Sequence, residues 1–246
     1  MISTLEKEIT FRYLKSRKKD GFLNIISIFS FIGISLGVAV LIIVMSVMNG
    51  FRSELINKIV GFNSHITITP YEKPINTKKL NNSFLKEISE ESIFSNSGEA
   101  VIVKKKYTKG IILRGYKKKD FPRLKITQQA DFIGQAYRLD QESISIGEEL
   151  SLDLNVGIGD KLSIISPSGI DTIVGKLPKQ QVFVVSSIFK SGLIEFDRNV
   201  AFININSLES FFNLDHDKRN LEIYLKSPAN IEKKKIKYKK YLKTNL

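Results

Sequence analysis

Residues 21–51, GFLNIISIFSFIGISLGVAVLIIVMSVMNGF, carry no charged side chain, in a chain that otherwise holds 38 Lys and Arg and 25 Asp and Glu. No soluble core needs an uncharged segment this long, because surface helices alternate polar and apolar faces and buried strands are short. About 20 apolar residues in a helix cross the roughly 30 Å of bilayer hydrocarbon. The run therefore predicts a transmembrane helix in contact with membrane lipid. After Arg52 no second uncharged run approaches that length, so this chain supplies one crossing. A cleavable signal peptide is excluded: its apolar region spans roughly 7 to 15 residues before a small-residue cleavage site. Here the run leads straight into MNGFRSELINKIVG, which has a helical pattern.

The basic group Arg12, Lys15, Arg17, Lys18 and Lys19 precedes the run, against the sparser Arg52 and Lys58 behind it. By the positive-inside rule the N-terminus faces the cytoplasm, and everything after the span lies outside it. In residues 1–14, Ile2, Leu5, Ile9 and Tyr13 share one helical face. That pattern predicts a short helix on the inner membrane surface, a frayed polar tail being the alternative. The net charge of +13 does not make a nucleic-acid protein, because the excess is Lys dispersed along the chain and not a stripe. With no cysteine, disulfides, thiolate metal sites and cysteine nucleophiles are excluded.

Beyond the span, Phe51, Leu55, Ile59 and Val60 continue the helical period to Gly61, a natural stop. A helix over 22–60 is about 58 Å long, so its end projects as a stalk. SHITITP then alternates as a strand ended by Pro70, and residues 71–98 read as loop with a helix near NNSFLKEIS. From Glu99 strands are expected: AVIVKKKY, a turn at Lys109 and Gly110, and IILRGY. A variable segment follows. ISIGEELSLDLNVGIGDKLSIISP reads as a short helix, a Gly-Asp turn and a strand; QQVFVVSSIFKSGLIEFDRNVAFINI as two strands around a loop. SLESFFNL predicts a helix capped by Ser207 with the acid Glu209 behind it; LEIYLKS is a last strand, and the Lys-rich end is helical. The fold class is α+β: one N-terminal transmembrane helix with a stalk, then a mixed α/β domain.

The block FRYLKSRKKDGFLNIISIFSFIGISLGVAVLIIVMSVMNGFRSELINKIVGFNSHITI resembles the N-terminal part of LolC/LolE-type permeases of the lipoprotein-releasing ABC transporter, most specifically at SVMNGFRSEL and GFNSHI. GEELSLDLNVGIGDKLSII and GKLPKQQVFVVSSIFKSGLIEFDRNVAFI resemble the periplasmic core domain which that family shares with MacB-type proteins. The resemblance implies residues 1–20 as a cytoplasmic interfacial segment, 21–51 as the transmembrane helix, 52–61 as the stalk and 62–246 as a MacB-like periplasmic core domain, in the inner membrane. Such permeases have four membrane helices. This sequence stops at KYLKTNL, about where the second is due, so the later transmembrane helices are absent and a truncated chain or fragment is expected. The implied partners are a cytoplasmic ABC ATPase subunit, a second permease subunit, a periplasmic lipoprotein carrier and the lipoprotein substrates.

Within the resemblance, SPSGIDTIVGKLPKQQVF matches a β-hairpin called the hook, which engages the carrier. Here it implies Thr172, Ile173, Val174, Gly175, Lys176, Leu177 and Pro178 as carrier-binding residues. Exposed apolar residues on a projecting loop are costly unless a partner covers them; the alternative is an ordinary hairpin folded back on its domain. Gly33 and Gly37 form a GxxxG pair that lets two membrane helices approach closely, although glycine is common in such helices. His65 and His216 stand apart with no metal-ligand spacing, so no metal site is expected. Gly157 and Gly159 mark a turn, since no Lys-Ser/Thr follows at phosphate-loop spacing. Glu148 and Glu149 are adjacent and read as solvated. No catalytic constellation and no cofactor motif emerges, and ATP hydrolysis is expected on a separate chain. A single-span periplasmic scaffold and an enzyme with an unrecognised site are the competing readings.

Overall fold

The computed structural model describes residues 3–14, 21–70, 73–75, 89–135, 137–172 and 175–226. It divides into two compact units, residues 1–57 and 58–246. The first holds helix α1, Thr4–Leu14, and most of α2, Gly21–Phe62. At the start of α1 the Glu6 carboxylate accepts from the Ser3 amide at 2.8 Å, and Ser3 Oγ accepts from the Leu5 amide at 3.2 Å. This satisfies donors that a helix start leaves open. Leu5 and Ile9 are exposed; Ile2 lies outside the described residues. Helix α2 is unbroken for 42 residues, and its stretch Ile25–Leu55 is long and apolar enough to cross a membrane. The expected stop at Gly61 falls inside its last turn.

In the second unit the strands are β1 (Ile66–Ile68), β2 (Ser89–Lys104), β3 (Tyr107–Tyr116), β4 (Asp131–Gly134), β5 (Ser143–Gly147), β6 (Lys161–Thr172), β7 (Gly175–Lys190), β8 (Val200–Asn204) and β9 (Asn220–Leu225). The helices are α3 (Lys125–Gln129), α4 (Glu148–Leu154), α5 (Ile194–Asn199) and α6 (Ile205–Phe212). Six strands pair in a ring, β2 to β3, β8, β5, β7, β6 and back to β2. The 16-residue β2 makes this closure possible. Its first half pairs β9, which carries β1, while its second half pairs β6 through Val101–Val103. Closure removes the unpaired edges an open sheet would present.

Every ring strand gives alternate residues to one core: Ala100 and Ile102, Ile111 and Leu113, Ile144 and Ile146, Leu162 and Ile164, Phe183 and Val185, Ala201 and Ile203. Period two puts such pairs on one face. Leu150 and Leu154 of α4 and Leu208 and Phe211 of α6 join that core. The opposite face carries an aromatic cluster of Phe62, Tyr116, Phe121, Phe189 and Phe202, with Phe189 and Phe202 rings 5.2 Å apart. Phe62, the last residue of α2, is buried there beside Phe196 at 5.7 Å. Gly147 has no room for a side chain, since a Cβ would lie 2.0 Å from the Asp197 carbonyl oxygen.

Several local expectations are corrected. Strand β2 begins at Ser89, ten residues before Glu99, and occupies the end of the expected loop; the rest of the helix proposed near NNSFLKEIS lies outside the described residues. The β2–β3 turn is Lys105–Lys106, not Lys109–Gly110, with Lys105 at φ 53°. The register to β3 fixes it there, since Lys104 pairs Tyr107. ISIG is strand β5 and not part of a helix, because it is held between β7 and β8. The loop between β7 and β8 contains α5. Helix α6 is capped by Asn204, whose side chain accepts from the Asn206 amide at 2.9 Å, and not by Ser207. The Lys-rich end from 227 on lies outside the described residues.

Candidate functional site: a hairpin and an adjoining sheet-face groove

Strands β6 and β7 outrun the ring. Pairing of β6 with β2 ends at Ile165, yet β6 and β7 stay paired through Ile170 with Leu177, Asp171 with Lys176 and Thr172 with Gly175. A register irregularity between Ser166 and Ile170 separates this outer segment from the barrel. The expected hairpin is therefore present. Thr172, Gly175, Lys176, Leu177 and Pro178 lie on its arms, and Ile173 and Val174, between the last paired residues, lie outside the described residues. Leu177 is 59% exposed and Pro178 is exposed. Proline is tolerated at such a position because an edge strand does not need every amide in the ladder. At the hairpin's base Lys179 Nζ donates to the Ser210 carbonyl at 2.5 Å and Gln180 Nε2 to Ser163 Oγ at 2.6 Å. Gly33 and Gly37 sit one helical turn apart on α2 with open space where each Cβ would be.

A groove of about 970 Å³ lies on the second unit. Its floor is one face of five neighbouring strands, β1, β9, β2, β3 and β8: register places Thr67 opposite Glu222, Ser97 opposite Arg114, and Ile112 opposite Val200. The segment Gly192–Phe196 and residues Asn63 and Ser64 flank it. Beneath the floor one carboxylate gathers four side chains. Glu222 accepts from Ser95 Oγ at 2.7 Å, Arg114 Nη2 at 3.0 Å, and the hydroxyls of Tyr116 and Tyr224, each at 3.0 Å. Arg114 Nη1 also donates to Asn63 Oδ1 at 3.2 Å. Burial alone would lower the Arg114 pKa, but Tyr116 and Glu222 beside it hold it above its ordinary value. Burial pushes the Tyr116 and Tyr224 hydroxyls well up. Arg114 therefore stays charged and the two tyrosine hydroxyls stay neutral across physiological pH, which suits a structural floor and not acid–base chemistry.

The remaining sequence candidates have structural roles. His65 Nδ1 accepts from the Leu225 amide at 2.9 Å. The Gly157 amide donates to Asp160 at 2.9 Å, and that bond, with Lys104, holds the Asp160 carboxyl below its usual range; Gly159 has φ 88°. This is the expected turn. Glu148 and Glu149 are not simply solvated: Glu148 pairs with Lys190 at 2.7 Å and Glu149 with Arg198 at 3.2 Å. Among the described residues no group of three or more His, Cys, Asp or Glu could hold a metal ion.

Glu209, expected near a helix cap, is instead fully buried. It accepts from Asn96 at 3.0 Å, Arg219 at 2.6 and 2.7 Å, and meets His216 Nδ1 at 2.6 Å. Burial pushes its carboxyl up, but bonds from Arg219 and His216 outweigh that and hold it below its ordinary 4.5. A carboxylate with a depressed native pKa adds stability above its unfolded pKa and loses it as pH falls through the native one. Glu209→Gln is therefore expected to lower the melting temperature at pH 7, with the gap to the parent narrowing as pH falls below 4.5. Thermal melts of both proteins across that range check this; a gap independent of pH would remove the ionic account.

The groove and the Arg114–Glu222 network carried no sequence signal beyond polar residues in strand patterns. The hairpin did carry one, in GKLPKQQVF.

These features define a class: an α+β domain, built on a closed ring of strands, attached in sequence to a helix of membrane-crossing length. The chain matches the MacB-like periplasmic core domain family over residues 27–235 and belongs to it. It is 27% identical over 241 residues to the lipoprotein-releasing system transmembrane protein LolC of Neisseria meningitidis, covering 92% of this chain and 56% of that protein. LolC of Xylella fastidiosa is 26% identical over 221 residues, covering 87% and 53%. The chain thus spans a little over half the length of these relatives. Among solved structures, the periplasmic region of MacB from Actinobacillus actinomycetemcomitans aligns with a TM-score of 0.46 at 10% identity, over 77% of this chain and 86% of that one.

Proposed function

We propose that this chain is the N-terminal portion of a permease subunit of an ABC transporter that releases lipoproteins from the inner membrane and passes them to a periplasmic carrier. The observation that carries this reading is the similarity to LolC proteins over about nine-tenths of the chain. Helix α2 anchors the protein, with the N-terminus in the cytoplasm and the domain in the periplasm, as the basic residues before the span support. The chain is not an enzyme; ATP hydrolysis belongs to a cytoplasmic ATPase partner, and a second permease subunit completes the membrane part. Gly33 and Gly37 face that subunit or another permease helix, where the open space over both lets backbones approach. The hairpin, with Leu177 exposed on its arm, is the carrier-binding hook.

Two measurements test this. A reporter active only outside the cytoplasm, fused after Gly61, is expected to be active, and a cytoplasm-dependent one silent; the reverse pattern overturns the topology. The chain, tagged and purified from its native membranes, is expected to bring down an ATPase subunit. Recovery of envelope proteins without any ATPase would favour the scaffold reading.

A further inference from the structure

A second, smaller cavity of about 530 Å³ lies where the loop between β4 and β5 meets the loop after β3. The backbone of the first loop is fastened to the ring. The Gln135 amide donates to the Ser186 carbonyl at 3.0 Å, Asn204 Nδ2 to the Leu139 carbonyl at 2.9 Å and Ser207 Oγ to the Gln141 carbonyl at 2.7 Å. Leu139 is fully buried, while Tyr137 and Arg138 just before it stay exposed. A loop anchored in this way presents its outward side chains from a rigid base. Three ionic groups line the cavity, Lys118, Arg138 and Asp140. Asp140 accepts from Lys118 Nζ at 2.8 Å through one oxygen and from Arg138 Nε at 2.6 Å through the other. Those bonds hold its carboxyl below the usual carboxylate range, so two cations against one carboxylate leave a single positive charge. Arg138 Nη1 donates to Gln135 Oε1 at 3.0 Å. Arg138 Nη2 and two hydrogens of the Lys118 ammonium meet no acceptor among the described residues. Lys117 and Lys119 make no ion pair among the described residues, and the nearby Asp120 is engaged by Arg123 at 3.0 Å. The exposed Glu142 does not line the cavity.

We propose that this cavity binds the phosphodiester of an anionic membrane-lipid headgroup, with Arg138 Nη2 and Lys118 Nζ donating to the phosphate oxygens and the Tyr137 ring, 55% exposed, against the headgroup carbons. A surplus of charged donors selects a group that only accepts, and guanidinium and ammonium are the side-chain groups that suit phosphate. One net positive charge is balanced by the single negative charge of a diester and not by the dianion of free phosphate. Both Asp140 oxygens are engaged, so no acceptor is left for the ammonium of a zwitterionic headgroup. The loop is also tied near the apolar helix. Leu139 and Phe62 belong to the same buried cluster. Phe62 follows the apolar stretch ending at Leu55 by seven residues, a reach of at most about 25 Å whatever path the chain takes. The choice of lipid as the source of the phosphate rests on the proposed membrane span of α2; the phosphodiester site does not.

The test uses the whole chain in maltoside micelles and glycerophosphoglycerol, a water-soluble phosphodiester headgroup without acyl chains, titrated calorimetrically at low salt. Saturable binding is expected. Lys118→Gln with Arg138→Gln is expected to weaken it at least about tenfold, the loss of charge-assisted hydrogen bonds. The melting temperature is expected to stay unchanged, because both side chains are exposed and such surface pairs add little stability. If that double variant melts lower, Lys118→Gln alone takes its place with the same expectation. Lys105→Gln with Lys106→Gln removes equal charge at the far end of β3 and is expected to leave binding unchanged. An equal loss there overturns the proposal, since it would mean diffuse attraction to the net charge of +13. Glycerophosphoethanolamine is expected to bind about tenfold more weakly; equal binding overturns the anionic preference. Inorganic phosphate binding more tightly than the diester overturns the lipid source in favour of free phosphate, independently of the reporter fusion that tests the span. No saturable binding of the diester overturns the site altogether.

Discussion

Glu222→Ala is expected to be among the most damaging single substitutions in the domain, lowering stability by about 3–5 kcal/mol. The reason lies in what the carboxylate leaves behind. Glu222 is 6% exposed, and its loss strands the Arg114 guanidinium in a site that is itself largely covered. The hydroxyls of Ser95, Tyr116 and Tyr224 lose their shared acceptor at the same time, and each unsatisfied buried group adds a desolvation cost. Removing the charge at both ends separates the causes. Arg114→Leu with Glu222→Leu is expected to recover part of the loss, because no unpaired charge is left, though the three hydroxyls still lack an acceptor. Guanidinium unfolding of the detergent-solubilised chain, followed by the tyrosine near-UV signal that a tryptophan-free protein provides, measures both variants. A Glu222→Ala loss below about 1 kcal/mol would mean that water reaches the site and replaces the carboxylate.

Ile173→Asp combined with Leu177→Asp is expected to abolish capture of the periplasmic carrier while leaving the fold intact. If the hairpin is the hook, its aliphatic side chains gain energy only when the carrier buries them, about 1.5–3 kcal/mol each. Losing two of them weakens binding roughly 100-fold or more. Leu177 is 59% exposed, and beyond Ser166 strands β6 and β7 pair with no third strand among the described residues, so a charge at Leu177 displaces no core contact. A hairpin folded back on its domain behaves in the opposite way, since a buried unpaired carboxylate destabilises the fold. Carrier binding that survives alongside a lowered melting temperature would therefore remove the hook assignment. Pull-down and thermal melting on the same purified variant decide between them.

The corrections to the local reading share one cause. Turn position, the start of β2 and the identity of β5 are set by pairing partners distant in sequence, which residue periodicity does not contain. The β2–β3 turn sits at Lys105–Lys106, with no glycine to mark it, because Lys104 must oppose Tyr107 for Ile102 and Ile111 to enter the same core. ISIG has the four apolar or small residues of either a helix start or a buried strand; only its place between β7 and β8 makes it a strand.

By itself, the sequence determined the membrane-length helix and the Gly157–Asp160 turn, since each rests on a continuous stretch whose composition or spacing has one physical solution; the β6–β7 hairpin was legible only through the family resemblance. Tertiary structure alone decided the closed ring of strands, the buried carboxylates and the groove. In NLEIYL, alternation marks Leu221, Ile223 and Leu225 as inward and leaves Glu222 and Tyr224 as the solvent face. The fold covers both faces instead. The leucine side packs on Ile66, Ile68 and Ile75, and the other side is closed by Ser95, Arg114 and Tyr116. Burying Glu222 is tolerable only because those donors, up to 127 residues away in the chain, converge on it, and such convergence is a property of pairing and register that no local window of residues contains.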